Sequence, residues 1–122
     1  MMFSNWAELL GVLKRSHSRL GGTNPKTLEA YRGLANAGNG ALSAKTRELI
    51  ALAVAVTTRC DGCISSHAAA AAKAGATDEE LTDALGVAIA MNAGAAYVYS
   101  LHALEAFASL RKEGDTVASP NS

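Results

Sequence analysis

The stretch Arg59-Cys60-Asp61-Gly62-Cys63-Ile64-Ser65-Ser66-His67, followed by alanine at every position of residues 68–72, decides the reading of this chain. An alanine run is the strongest local helix signal, so the Cys60-x-x-Cys63 motif just before it stands at a helix start. With Asp61 or Gly62 opening the helix, Cys63 falls in the first turn. There, unpaired backbone N–H groups and the macrodipole favour a thiolate over a thiol. Cys63 and His67 are then i and i+4 neighbours on one face. Cys60, at or just before the cap, can close on Cys63 as a disulfide without large backbone movement. The local chemistry is that of a reversible dithiol with a base beside it.

Working outward from this motif, every segment reads as helix. The chain holds 26 alanines and only two prolines, and no stretch alternates as a strand, which argues for an all-α fold of about six helices packed through small side chains. Upstream, Ser4 or Asn5 caps a first helix to about residue 18, with Trp6, Leu9, Leu10, Leu13 and His17 on one face and Gly21-Gly22 as its stop. Asn24-Pro25 starts a second helix through Leu28, Tyr31, Leu34 and Ala35, ended by Gly38-Asn39-Gly40. Ser43 caps a third. It carries Glu48 and then residues 49–56, apolar on all sides and expected to be buried on all sides.

The cysteine-motif helix, the fourth, ends near Ala74-Gly75. Thr77 and Glu80 make a capping box for a fifth through Leu81, Leu85, Val87, Ile89 and Met91. Asn92-Ala93-Gly94 reads as a break, and a sixth helix carries Tyr97, Val98, Leu101, His102, Leu104, Phe107 and Leu110. Residues 1–113 are expected to form a single domain, and the polar residues 114–122 a disordered tail.

Composition limits the function classes. With 11 basic and 11 acidic residues and no basic run, nothing here attracts nucleic acid or anionic lipid. The N-terminal residues lack the basic and apolar regions of a secretory signal, so a cytoplasmic location is expected, where a cysteine pair is more often catalytic than structural. Residues 84–104 contain no Lys, Arg, Asp or Glu. They are nonetheless rich in Ala and Gly, include Ser100 and His102, and are flanked by Asp83 and Glu105 where a membrane span would have basic anchors. Burial between subunits of a homo-oligomer accounts for them better.

Glu48 is the one charge set into the start of the most apolar helix. The plain expectation for such a residue is a solvent-facing carboxylate or a pair with Lys45 or Arg47. Geometry offers another partner. At ~1.5 Å per residue Glu48 lies about 15 Å before the end of its helix near Thr58, and His67 about 9 Å into the next. A hairpin of the two helices brings them within roughly 6 Å along the axis, in the order Glu48, His67, Cys63, Cys60 that a proton relay to a thiol requires.

Glu48 followed by Cys60-x-x-Cys63-x-x-x-His67 on an alanine-rich helical chain resembles the alkylhydroperoxidase D-like (AhpD-like) branch of the carboxymuconolactone decarboxylase family, over residues 42–110. The resemblance implies an all-α fold assembled as trimers or hexamers, and reduction of hydroperoxides at the expense of an external dithiol or disulfide reductase, with no further cofactor. It also implies roles: Cys63 attacks, Glu48 and His67 relay its proton, and Cys60 resolves the intermediate. The best-studied members carry a further histidine between the cysteines, where this chain has Gly62. The decarboxylases that name the family are similar in fold but do not rely on this pair, so decarboxylation is not carried over.

Other readings fit less of the sequence. A thioredoxin-like enzyme also uses Cys-x-x-Cys but needs a βαβ pattern that is absent here. An oligomeric helical module without catalysis, holding a metal through Cys60, Cys63 and His67, would need His17 or His102 as a fourth ligand, and no motif spacing supplies one. His17 and His102 are expected as hydrogen-bonded core or interface residues, and Tyr97 and Tyr99 as interface packing.

Overall fold

Short polar side chains decide where the helices begin. Asn5 Oδ1 accepts from the Glu8 N–H at 3.1 Å, Asn24 Oδ1 from Thr27 at 3.2 Å, and Ser43 Oγ from Thr46 at 3.1 Å. Thr77 and Glu80 exchange reciprocal bonds of 3.0 and 3.1 Å as a capping box. The resulting computed structural model describes residues 2–111. Among them are α1 (Trp6–Thr23), α2 (Pro25–Ala35), α3 (Ala44–Thr58), α4 (Asp61–Lys73) and α5 (Asp78–Leu110), and no strand. The all-α expectation holds with five helices instead of six. The tail expected at 114–122 lies outside the described residues.

Two expected stops are not stops. α5 continues through Asn92-Ala93-Gly94, because one Asn and one Gly cost a helix about 1 kcal/mol each while the alanines around them favour it and no new cap competes. α1 continues through Gly21-Gly22 to Thr23. A Cβ on Gly21 would stand 2.5 Å from Leu28 Cδ2, so this glycine lets α2 approach closely. Asn24 ends α1 and begins α2 at once, its N–H bonded to the Leu20 carbonyl at 2.7 Å and Pro25 occupying the first helical position.

By its internal contacts the chain falls into two units, Met1–Ala88 and Ile89–Ser122. In the first, α3 packs most extensively on α4, and α1 packs on both α2 and α4. Leu28, Leu52, Ala55, Ala71 and Ala88 are buried, and three of these five being alanine shows helices meeting through small side chains. The buried Ser65 hydroxyl donates to the Trp6 carbonyl at 3.0 Å and ties α4 to the start of α1. The expectation that residues 49–56 are buried all round is corrected. Only Leu52 and Ala55 are buried, while Ile50 and Val54 remain about half exposed, because α3 is covered mainly on the side facing α4.

Lys45 Nζ lies 2.9 Å from Glu80 Oε2 and fastens α3 to the first turn of α5. That hydrogen bond, with a second from the Thr77 N–H, holds the Glu80 carboxyl below its ordinary pKa. In the second unit α5 leaves Ile89, Met91, Leu104, Phe107 and Leu110 at least two-thirds exposed or nearly so. By length and composition α5 is the one helix among the described residues that could cross a membrane. Its Ala- and Gly-rich sequence and acidic flanks are poor for that role.

Candidate functional site

The site is built on the reversal between α3 and α4. Arg59 ends α3 in the left-handed conformation (φ 55°, ψ 47°), and the N–H of Cys60 reaches back to the Ala55 carbonyl at 3.1 Å. This closure turns the chain within two residues. Cys60 is thereby left in extended conformation as the N-cap of α4. Its Sγ accepts the Cys63 N–H at 3.1 Å, a bond that Ser, Asn or Asp would make with oxygen at an ordinary cap.

Cys63 is the third residue of α4, in the first turn as the sequence indicates, and it is joined to Cys60 by a disulfide with the Cα atoms 5.2 Å apart. His67 follows one turn later. Its Nδ1 meets Glu48 Oε2 at 2.6 Å, so the hairpin of α3 and α4 brings together the two residues that axial arithmetic places about 6 Å apart. A carboxylate only accepts, so with Glu48 ionised the bond is donated by the Nδ1–H of His67. The pair is partly covered, with Glu48 more enclosed (24% of its side chain exposed) than His67 (39%). Lys45, one of the alternative partners for Glu48, is engaged with Glu80 instead.

Cys60, Cys63 and His67 open onto a cleft of about 710 Å³ floored by the start of α4 and walled by α1 and α2. Leu10 and Leu13 of α1 and Tyr31 and Ala35 of α2 supply apolar surface; Lys14, His17 and Arg32 supply polar groups. These wall residues carry no motif and could be found only once the packing of α1 on both α2 and α4 was known. His17 is exposed on the cleft in the single chain, so it is not a core histidine. His102 is exposed as well and stacks on Tyr99 with ring centroids 4.5 Å apart.

Gly62 sits under α1. A Cβ there would stand 3.1 Å from Leu13 Cδ2, so a side chain at this position requires Leu13 to shift by a few tenths of an ångström. Among the described residues no three His, Cys, Asp or Glu side chains are grouped to hold a metal ion.

The described residues are helical throughout their regular structure, and comparisons with known proteins show the family. The model of the carboxymuconolactone decarboxylase family matches residues 24–106, and the chain belongs to that family. It is 58% identical over 108 residues to an uncharacterized protein of Haemophilus influenzae, a match covering 87% of this chain and 96% of that one. Another, uncharacterized protein 4 in the cox locus of Paracoccus denitrificans, is 47% identical over 66 residues, 54% of this chain and 60% of that protein. The crystal structure of an apo carboxymuconolactone decarboxylase family protein from Legionella pneumophila superposes with a TM-score of 0.68 at 36% identity, covering 88% of this chain and 97% of that one.

Proposed function

We propose that the protein is a dithiol-dependent peroxidase of the alkylhydroperoxidase D-like branch, carried by the 2.6 Å contact between Glu48 and His67 one helical turn after Cys63. In the reduced protein, His67 Nε2 takes the Cys63 proton, directly or through a water, and Glu48 stabilises the resulting imidazolium. The Cys63 thiolate attacks the distal oxygen of a hydroperoxide. The O–O bond breaks, Cys63 becomes a sulfenic acid, and the departing alkoxide takes a proton to leave as alcohol. The Cys60 thiol then attacks the Cys63 sulfur, the S–S bond forms and water leaves. An external dithiol reduces the disulfide to two thiols and is itself oxidised, which balances the cycle.

One observation favours exchanging the cysteine roles. The Cys63 N–H points at Cys60 Sγ, and a helix N-cap sulfur bonded in this way is a good thiolate. His67, four residues beyond Cys63 and on its face, favours Cys63 as the group that loses its proton to a base. Substituting each cysteine by serine separates the two. With one equivalent of hydroperoxide, Cys60→Ser should accumulate a sulfenic acid on Cys63 that dimedone traps; trapping only on Cys60 in Cys63→Ser would reverse the assignment.

The same proposal includes a homo-oligomer, trimer or hexamer, in which the exposed apolar residues of α5 are covered by other subunits. A cycling thiol pair also suits the reducing cytoplasm.

A further inference from the structure

A peroxidase specific for hydrogen peroxide needs little more than a thiolate and a proton donor. This dithiol instead stands at the foot of a cleft of about 710 Å³, within the range of roughly 300–1,000 Å³ that takes drug-sized ligands. Leu10, Leu13, Tyr31 and Ala35 give it apolar walls, which reward an apolar body.

Its charge is one-sided. Lys14 on α1 and Arg32 on α2 both line the cleft, and no Asp or Glu does, in a chain whose acidic and basic residues are equal in number. The cations are also unspent. Elsewhere Lys45 is neutralised by Glu80, whereas among the described residues no carboxylate pairs with the side chain of Lys14 or Arg32.

We propose that the cleft selects an organic hydroperoxide with an apolar body and a carboxylate head, the head held by Lys14 and Arg32 while the O–OH group meets Cys63. This rests on the dithiol-peroxidase reading for its chemistry, and on the cleft alone for its selectivity. Arg32 presents a planar fork matched to a carboxylate, and Lys14 a second point charge. The body lies along the α1 and α2 walls.

Binding can be read without turnover. The full-length reduced protein is alkylated with iodoacetamide, modification of Cys63 is followed by mass spectrometry, and decanoate or decan-1-ol is added below its aggregation limit. Decanoate should slow alkylation saturably and bind about tenfold more tightly than the alcohol, as expected for a charge-assisted bidentate contact. In the double variant Lys14→Gln/Arg32→Gln, both positions being exposed, that preference should shrink to within about twofold, while Arg32→Lys alone keeps part of it. Equal protection by acid and alcohol, protection by neither, or an undiminished preference in the double variant would overturn the selectivity.

Single-turnover oxidation by a fatty-acid hydroperoxide and by its methyl ester completes the test. Faster reaction of the acid supports the proposal, and equal rates overturn it while leaving the peroxidase reading intact. Selective protection by decanoate with no oxidation by either hydroperoxide would instead overturn the peroxidase reading, and with it the hydroperoxide as ligand.

Discussion

Glu48 Oε2 and His67 Nδ1 are 2.6 Å apart, joining a residue at the start of α3 to one a turn inside α4. The contact holds the imidazole one helical turn beyond Cys63. Glu48→Gln should therefore raise the apparent pKa of the Cys63 thiol in reduced protein and slow its alkylation. The loss should be of order 10- to 100-fold near neutral pH, at the lower end of what acid–base catalysis supplies. It should recover in part as pH rises toward about 8.5, where an unassisted thiol ionises. His67→Asn should behave alike, and the double variant should cost much less than the sum. Overlapping rate–pH curves for Glu48→Gln and the parent would reduce Glu48 to a structural partner of His67.

The redox pair is local. Mild oxidation of the reduced protein should remove two hydrogens per chain, joining Cys60 to Cys63 within one chain and leaving the size of the assembly unchanged. A disulfide-linked dimer on a non-reducing gel, or stoichiometric zinc that blocks thiol titration, would contradict the cycle.

α5 provides a prediction about assembly. Leu104 and Phe107 are 66% and 68% exposed in the single chain, too much apolar surface to leave in water along one helix. Light scattering should give a trimer or a dimer of trimers, and Phe107→Glu should lower the mass. A monomeric parent at micromolar concentration would remove the subunit explanation.

Gly62 lies close beneath Leu13 of α1. Replacing it by histidine forces Leu13 aside, with an expected loss of about 1–3 kcal/mol of stability by overpacking. Thermal denaturation measures this, and Leu13→Ala in the same chain should restore part of the loss. An unchanged midpoint in Gly62→His would show that α1 yields at no cost.

A fifth expectation concerns pH. The Glu80 carboxyl is held below its ordinary pKa, first by the hydrogen bond with Lys45. Folding with a depressed carboxyl pKa gives stability that is present above the unfolded-state value and is lost as pH falls through the folded-state value. The parent should melt slightly above Glu80→Gln at neutral pH, and the difference should vanish in strong acid. A difference that persists there would assign the effect to packing.

Much of this was legible in the sequence because the decisive signals are local. Asn5, Asn24-Pro25, Ser43 and the Thr77–Glu80 box start helices where their chemistry says they should, and the Cys60–Cys63 turn lies at the start of α4. The Glu48–His67 contact was within reach because a two-residue reversal makes axial distance along a hairpin predictable. What failed was the reading of glycine as punctuation. Gly21 is a contact point for Leu28, which is not visible without α2, and Gly94 is carried by the alanine-rich helix around it. The cleft was out of reach for the same reason: Lys14, Tyr31 and Arg32 come to line one cleft with the dithiol only through the packing of α1 on both α2 and α4.

The central claim is that the dithiol turns over hydroperoxide, and the most direct measurement is peroxide loss in the presence of a dithiol donor, run on metal-free protein and on Cys63→Ser. The account predicts catalytic loss, many equivalents per chain, by the parent protein and only the uncatalysed background by Cys63→Ser. Equal peroxide loss in the two samples, or none above background in the parent, would contradict it.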